Sequence, residues 1–387
     1  MALDTDILGH LLGAVERFVQ DRLRPIEGTV AEDDCVPATI IDEMRDMGLF
    51  GLSIPDEFGG LGLTMAEEVQ VAFRLGHTSP AFRSIIGTNN GIGSQGIIID
   101  GTEAQKQRYL PQLATGRMIG CFCLTEPEAG SDAGALRTTA RRDGDDYVIN
   151  GTKRFITNAP LAGLFTVFAR TDPDSRDSRG VSAFLVERGT PGITLGKPDQ
   201  KMGQKGAHTS DVMFDEVRVP SDAIIGGPAR VNEGFKTAMR VLDRGRLHIS
   251  AVCVGVAQRL IADSLAYAMD RRQFGQAIAE FQLVQAMLAD MRAETYAAQC
   301  MVDETARRRN AGQDVSIDAA CAKMFASEMV GRVADKAVQI HGGAGYMAEY
   351  GIERLYRDVR LFRIYEGTTQ IQQLVIARGM IREAMAS

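Results

Sequence analysis

The feature that most constrains the fold of this 387-residue chain is a change in hydrophobic periodicity, from helical to strand-like and back. Residues 1–120 repeat apolar positions at helical spacing. From 121 to 228, short β-type runs follow one another, and regular strands without intervening helices favour a small antiparallel barrel or sandwich. Residues 229–387 contain four long helical segments, the number in a helix bundle. We therefore predict an α+β, mainly α protein with an N-terminal helical domain, a middle β domain and a C-terminal four-helix bundle.

Two local signals refine the middle domain. Asn150-Gly151 separates two β-type runs, and this dipeptide predicts a hairpin turn at that point. Cys121 and Cys123 lie two residues apart in an apolar run, which places both thiols on one face of a strand. No CxxC pair or metal-ligand spacing occurs among the six cysteines, so we expect them all to be reduced and buried, with no metal site.

Composition limits the classes of partner. Apolar residues make up 45% of the chain, and the net charge is −7. A chain with this net charge has no overall positive potential that would attract nucleic acid or an anionic membrane. No apolar run approaches the length of a membrane span, so none is predicted. The N-terminus carries acids where a targeting peptide has positive charge. These features predict a cytoplasmic protein, or one of the mitochondrial matrix if the source is eukaryotic.

Two Gly-rich segments match motifs whose context is missing. Residues 91–96, GIGSQG, have the letters of a dinucleotide fingerprint but lie in a helical neighbourhood without a βαβ unit. Residues 341–345, HGGAG, look like a hydrolase oxyanion loop, but no GxSxG nucleophile motif occurs in the chain. Neither a nicotinamide site nor a serine hydrolase is predicted.

The segment RIYEGTTQIQ, residues 363–372, places Glu366 in a turn just ahead of a helix. Thr369 and Gln372 have the spacing of a capping box for that helix. A carboxylate at a helix N-terminus is favoured by the helix dipole, by roughly 0.3–1 kcal/mol, and this structural role is one interpretation of Glu366. The other is a catalytic base, and these ten residues do not decide between the two.

Four further segments have the residue types of a ligand site. CLTEPEAGSDAG, at 123–134, combines Gly130 and Ser131 in a turn that suits a phosphate. KRFITN, at 153–158, puts an aromatic and a hydroxyl on one strand, beside which a planar ring would fit. The segments around RRQFG and HGGAGY each add a Gly-bearing break at a helix end.

Taken together, these motifs resemble the acyl-CoA dehydrogenase family, flavoproteins that desaturate acyl thioesters. The resemblance covers nearly the whole chain and rests on GLFGLSIPDEFGGLG, EAQKQRYLPQLATG, TEPEAGSD, NGTKRFITN, RRQFG and YEGTTQIQ, in that order. The family's usual Trp in the WIT triplet is replaced here by Phe155, which keeps an aromatic wall.

The resemblance implies the following site residues. FAD contacts are expected from Phe122, Leu124, Thr125, Ser131, Phe155, Ile156, Thr157, Arg271, Gln273, Phe274, Phe281, Gln282, Gln339, His341, Gly342, Gly343, Thr368 and Gln370. The substrate is expected to contact Ser131, Asp243, Arg246, Tyr365, Gly367 and Arg378. Glu366 matches the family's catalytic base, and Gly245 stands where other members carry the base on an earlier helix. The segment with Arg271 and Phe274 matches one that reaches the FAD of a neighbouring subunit, which implies a homo-oligomer, typically a tetramer.

The implied reaction is α,β-dehydrogenation of an acyl-CoA to the trans-2-enoyl-CoA, in fatty acid β-oxidation or related metabolism, with electrons passed to an electron-transferring flavoprotein. An oxidase that uses O₂ and a non-catalytic acyl-CoA-binding or scaffolding relative are the alternatives. The acyl group stays undetermined, with a short or medium saturated chain favoured.

Overall fold

The computed structural model describes residues 3–175 and 177–386, and its N-terminal part is built of short helices. These helices are α1 (Thr5–Phe18), α2 (Glu27–Asp33), α3 (Ala38–Asp46), α4 (Met65–Leu75), α5 (Pro80–Thr88), α6 (Gln95–Asp100) and α7 (Glu103–Ala114). Thr102 and Gln105 form the predicted capping box at the start of α7. The buried face of α4 packs against a long helix of the C-terminal part, so the first helices share a core with the last ones.

A seven-stranded sheet forms the middle of the molecule. Its strands are β1 (Gly120–Cys123), β2 (Thr139–Asp143), β3 (Asp146–Thr157), β4 (Leu164–Arg170), β5 (Val181–Glu187), β6 (Ile193–Leu195) and β7 (Thr209–Pro220). The order is β1-β4-β2-β3-β7-β6, and β5 pairs with β4. Most pairs are antiparallel, but β1 runs parallel to β4, so the sheet is mixed.

The hairpin predicted at Asn150-Gly151 is wrong. Strand β3 continues through both residues, and Gly151 lies at a register shift against β7, where a Cβ would stand 2.4 Å from Thr138 Oγ1. The turn between β2 and β3 instead contains Gly144, whose φ is +66°. The long pairing of β3 with β7 outweighs the local turn preference of Asn-Gly.

The C-terminal part is a helix bundle with a small hairpin. Its elements are α8 (Gly234–Asp270), β8 (Arg272–Gln273), β9 (Gln276–Ala277), α9 (Gln282–Asn310), α10 (Ser316–His341), α11 (Gly343–Tyr346), α12 (Ile352–Val359) and α13 (Thr369–Ala386). Helix α10 packs against α8, α9 and α13, which confirms the predicted fold class. Helix α8 begins beside the β domain, where Glu233, the residue before the helix, forms an isolated β-bridge with Val181.

One helix of the described chain, α8, is long and apolar enough to cross a membrane by length and composition alone. Most of its apolar window, 61%, is buried within the fold, so this is weak evidence for a span.

The six cysteines are free thiols, and Cys121 and Cys123 lie side by side on β1 with their sulfurs 3.8 Å apart. The prediction that all six are buried is wrong. Cys35 and Cys300 are exposed and Cys321 is partly exposed, because the first lies in the turn after α2 and the other two lie on outward helix faces.

Candidate active site

A cavity of about 640 Å³ lies where the β domain meets the bundle. Its walls come from β1 and the loop after it, the end of β3, the first half of α8 and the turn at Tyr365–Gly367. Ligand sites commonly have this size and combine apolar walls with a few polar groups. The sequence motifs that lie far apart in the chain therefore meet around one volume.

The loop that follows β1 is fixed by a buried ion pair. Lys153 on β3 is fully buried, and its Nζ lies 2.7 Å from Glu126 Oε1. The same carboxylate accepts hydrogen bonds from the backbone N–H groups of Arg137 and Thr138, at 2.6 and 2.9 Å. Burial acts to raise the pKa of Glu126, but Lys153 and these donors outweigh it and lower the pKa. Glu126 thus stays charged and holds both ends of the loop that contains Ser131.

Phe155 forms part of the cavity wall in an unusual backbone conformation. Its φ is +58°, in the left-handed region, at a bulge of β3 against β7. The ring is 57% exposed, and the Arg154 guanidinium lies 4.8 Å from its centroid. Strain of this kind costs about 1–3 kcal/mol and is concentrated at functional sites. An aromatic ring held exposed at a cavity suggests that a ligand covers it.

The turn Tyr365–Gly367 is held by donors from two helices. Glu366 and Gly367 have φ values of +55° and +83°. Lys323 Nζ on α10 lies 2.6 Å from the Gly367 carbonyl oxygen. Gln372 Nε2 on α13 donates to the Glu366 carbonyl oxygen at 2.9 Å. Within the described residues, the N–H of Glu366 donates no hydrogen bond, so it remains available to a ligand.

The predicted capping box of Thr369 with Gln372 is wrong. Thr368 precedes the helix, and its Oγ1 accepts the hydrogen bond from Ile371 N–H at 3.2 Å. The hydroxyl of Thr369 donates to Glu328 Oε1 at 2.7 Å instead. Gln372 is thereby free to bind the carbonyls of the turn.

The Glu366 side chain lies against α8 at Gly245, where that helix has no side chain. A Cβ on Gly245 would stand 2.7 Å from Glu366 Oε2 and 3.0 Å from its Cδ. Glu366 Oε2 is buried and has no hydrogen-bond partner in the described chain. Burial raises the pKa of Glu366, and the cations Arg83, Arg246 and Lys323 oppose that rise. The result is a carboxylate with weakened solvation and an unused oxygen.

Two buried cations on the bundle side flank Glu366. Arg246 lies in the cavity wall and pairs with Asp243 Oδ1 at 2.5 Å. Lys323 is fully buried, and burial lowers its pKa to about 8, against the raising effect of Cys253 and Glu366. Both cations favour the charged form of Glu366.

A second cavity, of about 60 Å³, lies on the other side of Glu366. The two cavities share Ile92, Thr157, Tyr365 and Glu366 as lining residues. The smaller one combines apolar walls with charged side chains from five parts of the chain. Its charged and imidazole side chains are Glu68, Arg83, Lys201, Arg244, His248 and Glu366.

The larger cavity brings together about half of the predicted site residues. Those that line it are Phe122, Leu124, Thr125, Ser131, Phe155, Ile156, Thr157, Arg246, Tyr365, Glu366 and Gly367. Those that do not are Arg271, Gln273, Phe274, Phe281, Gln282, Gln339, His341, Gly342, Gly343, Thr368, Gln370, Asp243 and Arg378. Asp243 still contacts the site through Arg246.

Two of the segments outside the cavity differ in character. Phe274 is 94% exposed on the hairpin of β8 and β9, with its ring edge-on to Phe281 at 6.0 Å. His341 is buried as the last residue of α10, stacked on Tyr267 at 4.3 Å, with Nδ1 2.8 Å from the Ala337 carbonyl oxygen. In a single chain, His341 therefore serves the packing of its own helix.

Sequence reasoning missed Arg83, His248, Lys201 and Lys323, which the structure places around Glu366. Nothing marks Arg83 in its helical segment except its buried position, which a sequence does not show. A basic residue on the apolar stripe of a predicted helix was the available signal for Lys323.

Comparison with known proteins decides the family. Sequence profiles of the acyl-CoA dehydrogenase N-terminal, middle and C-terminal domains match residues 9–117, 121–217 and 232–381. The chain belongs to the acyl-CoA dehydrogenase family. It is thus an oxidoreductase that acts on the CH–CH group of acyl-CoA thioesters.

Full-length relatives agree with this membership. The chain is 39% identical over 365 residues to a 3-(aryl)acrylate reductase of Clostridium sporogenes, covering 94% of this chain and 96% of that one. It is 40% identical over 354 residues to a caffeyl-CoA reductase–Etf complex subunit of Acetobacterium woodii, covering 92% of both. The solved butyryl-CoA dehydrogenase of Megasphaera elsdenii superposes with a TM-score of 0.93 at 34% identity, over 98% of this chain and 100% of that one.

Members of this family are flavoproteins, and their cofactor is FAD. The larger cavity fits such a group. Phe122 and Leu124 give it apolar walls, Phe155 offers an aromatic face, and Thr125 and Ser131 add hydroxyls. A Cβ on the neighbouring Gly130 would meet no atom within 4 Å, so backbone is open to close approach there.

Proposed function

We propose that Glu366 is the base that removes the α-proton of an acyl-CoA thioester in an α,β-dehydrogenation. The observation that carries this proposal is the unpartnered Oε2 of Glu366, set between two cavities against the bare backbone of Gly245. When bound, FAD supplies the acceptor for the hydride that leaves the β-carbon.

The environment of Glu366 suits proton abstraction in two ways. Free Glu has a pKa of about 4.3 and is a weak base, whereas burial raises the pKa of Glu366. Arg83, Arg246 and Lys323 oppose that rise and so favour the charged carboxylate, which is the form that accepts a proton. General bases of this type contribute about 10²–10⁴ in rate.

The turn also supplies a hydrogen-bond donor. As the α-proton leaves, negative charge moves onto the thioester oxygen, and a preorganised donor at that oxygen is worth roughly 3–4 kcal/mol. The free N–H of Glu366 is a candidate donor, because Lys323 and Gln372 bind the carbonyls of Gly367 and Glu366 and so hold the turn that contains this N–H. Base and donor would then come from one residue.

We further propose an electron-transferring flavoprotein as the electron acceptor. The support is the relative described as a caffeyl-CoA reductase–Etf complex subunit, which matches 92% of this chain. A homo-oligomer, with a tetramer as the expected form, follows from the same family resemblance. Its physical support is the exposed Phe274, because an aromatic side chain that is 94% exposed on a hairpin gains little stability in a single chain.

The reverse reaction is the second candidate. The raised pKa of Glu366 means that its protonated form is also accessible, and that form would deliver a proton to the α-carbon of an enoyl thioester. Relatives described as reductases favour this direction.

Anaerobic titration of the FAD-loaded protein with straight-chain and dicarboxylic acyl-CoAs tests dehydrogenation. Bleaching of the main flavin band by a saturated acyl-CoA is the expected result. Recovery of the band when the reduced protein meets an enoyl-CoA, without bleaching by any saturated one, would favour the reductase. If neither substrate changes the flavin, the proposed function is wrong. Rapid consumption of O₂ by the reduced protein would replace the flavoprotein acceptor with an oxidase mechanism.

A further inference from the structure

The smaller cavity beyond Glu366 contains a buried guanidinium that the dehydrogenation does not require. Arg83 lies in the middle of α5 with 7% of its surface exposed, and its Nε has no hydrogen-bond partner among the described residues. No carboxylate of the described chain lies within ion-pair distance of it. A buried charge without a partner is strongly unfavourable unless a ligand completes it.

Gly87, one turn further along α5, makes room for this side chain. A Cβ at that position would stand 2.5 Å from Arg83 Nε and 2.6 Å from its Cζ. The guanidinium therefore lies folded over the bare helix backbone, in the wall of the cavity. Gly87 thus leaves open the space that the Arg83 guanidinium occupies.

The only hydrogen-bond partner of Arg83 in the described chain is the imidazole of His248. Because Arg83 is always a donor, His248 Nδ1 is the acceptor, and the ring proton lies on Nε2, 4.0 Å from Glu68 Oε1. Burial, with the nearby Arg83 and Arg244, lowers the pKa of His248 well below its ordinary value. His248 is thus neutral and does not compensate the charge of Arg83.

The other two cations of the cavity each have carboxylates of their own that act on them. Arg244 forms an ion pair with Glu68. Lys201 Nζ is buried without a hydrogen bond, but Asp34, Asp199 and Asp358 act on it electrostatically.

Glu366 is the anion that acts on Arg83. When Glu366 accepts a proton from the substrate, that negative charge disappears, and the remaining carboxylate of the cavity, Glu68, is already paired with Arg244.

We propose that Arg83 binds a carboxylate at the far end of the acyl group, so that the substrate is a short dicarboxylic acyl thioester. This inference rests on the proposed function, because it requires an acyl thioester to bind at Glu366 with its acyl group extending into the smaller cavity. The small volume, about 60 Å³, suits a short end group and not a long alkyl tail. An arginine and a carboxylate form a strong bidentate ion pair. Such a pair would balance the positive charge of Arg83 while Glu366 is protonated.

The alternative is that Arg83 only tunes the pKa of Glu366. Both roles would change the overall rate, but only a carboxylate site changes the ratio between two substrates of equal length. The test therefore compares glutaryl-CoA with pentanoyl-CoA, which differ by a terminal carboxylate in place of a methyl group. Binding is measured calorimetrically on the FAD-loaded Glu366→Gln variant, which retains the cavity and removes the base.

We expect glutaryl-CoA to bind roughly 10- to 100-fold more tightly than pentanoyl-CoA. Adding Arg83→Met to that variant should remove the preference, whereas the matched change Arg74→Met, on α4 and outside both cavities, should keep it. If Arg83→Met does not fold, Arg83→Lys keeps the charge without the planar fork and should retain only part of the preference.

Equal binding of the two thioesters, or a preference that survives Arg83→Met, would overturn the proposal. The outcome is separable from that of the proposed function. If glutaryl-CoA binds through Arg83 but never bleaches the wild-type flavin, dehydrogenation is wrong and the carboxylate site stands. If pentanoyl-CoA bleaches the flavin and glutaryl-CoA does not bind, the reverse holds.

Discussion

The turn at Tyr365–Gly367 and the hairpin of β8 and β9 both match family motifs, yet one is complete within the chain and the other is not. The turn has its carbonyls bound by Lys323 and Gln372 and its carboxylate packed on Gly245. The hairpin instead presents Phe274 almost fully to solvent. A strained turn persists where surrounding contacts determine it, whereas an exposed aromatic residue has no such support within its own chain.

The difference suggests that the turn serves catalysis and the hairpin serves assembly. Every side chain that changes the pKa of Glu366 electrostatically comes from α5, α8 or α10 of the same chain. The segment with Arg271 and Phe274 would gain a role only in an assembly. Mutations in the two regions should therefore separate catalysis from assembly.

The largest effect is expected from Glu366→Gln. This change removes the base and keeps the shape of the side chain, so turnover should fall by about 10²–10⁴ while FAD and acyl-CoA still bind. Stopped-flow reduction of the flavin measures it. Glu349→Gln, an exposed residue of the same region, is the control and should have the wild-type rate. A variant that retains more than about a tenth of the rate would contradict the assignment of the base.

Gly245→Ala should have the next largest effect. The new Cβ would stand 2.7 Å from Glu366 Oε2, so the carboxylate must move away from its present position. Misplacement of a reacting group by about 1 Å can cost on the order of 100-fold in rate. The same substitution at Gly9 of α1, where a Cβ meets no atom within 4 Å, should leave the rate unchanged. A wild-type rate in Gly245→Ala would mean that Glu366 works from another position.

Lys323→Met should change the pH dependence more than the maximal rate. Lys323 opposes the rise in the pKa of Glu366, so its removal raises that pKa further. Because the base acts in its deprotonated form, the rise of rate with pH should move to higher pH. The pH profile of flavin reduction under single-turnover conditions measures this shift. Lys336→Met, on the same helix and outside both cavities, should leave the profile in place. A shift to lower pH would contradict the electrostatic argument.

The smallest effect on the folding of one chain is expected from Phe274→Ser. A side chain that is 94% exposed contributes little to stability, and surface substitutions usually lie within about 0.5 kcal/mol. Assembly should respond instead, with smaller species in sedimentation and weaker FAD retention. Ile7→Ser, at a residue 57% exposed on α1, is the control and should leave assembly unchanged. Unchanged sedimentation of Phe274→Ser would show that the hairpin is not an interface.

Sequence reasoning succeeded where a signal was local. Helical periodicity gave the bundle, and the motif around Glu366 gave the position of the carboxylate in a turn before α13. It failed where distant residues converge. Arg83 and Lys323 reach Glu366 from α5 and α10, and no spacing in the chain reports that meeting. Asn150-Gly151 failed for the opposite reason, because a strong local preference was overridden by the pairing of β3 with β7.

Several predictions concern groups that lie outside a single chain. The cytoplasmic location, the tetramer, the FAD contacts of Gln339, Gly342 and Gly343, and the substrate contact of Arg378 remain predictions. They depend on partners and surroundings that the chain alone does not provide.

The contact between Gly245 and Glu366 has a consequence for how such enzymes change over time. The two positions compete for one volume, so a carboxylate on α8 and a carboxylate on the turn exclude each other. Any lineage that moves its base from one position to the other must pass through a protein with no base or with a crowded one. Which residue is tolerated at position 245 therefore depends on the residue at position 366. A comparison of related sequences that treats the two positions separately would miss this dependence.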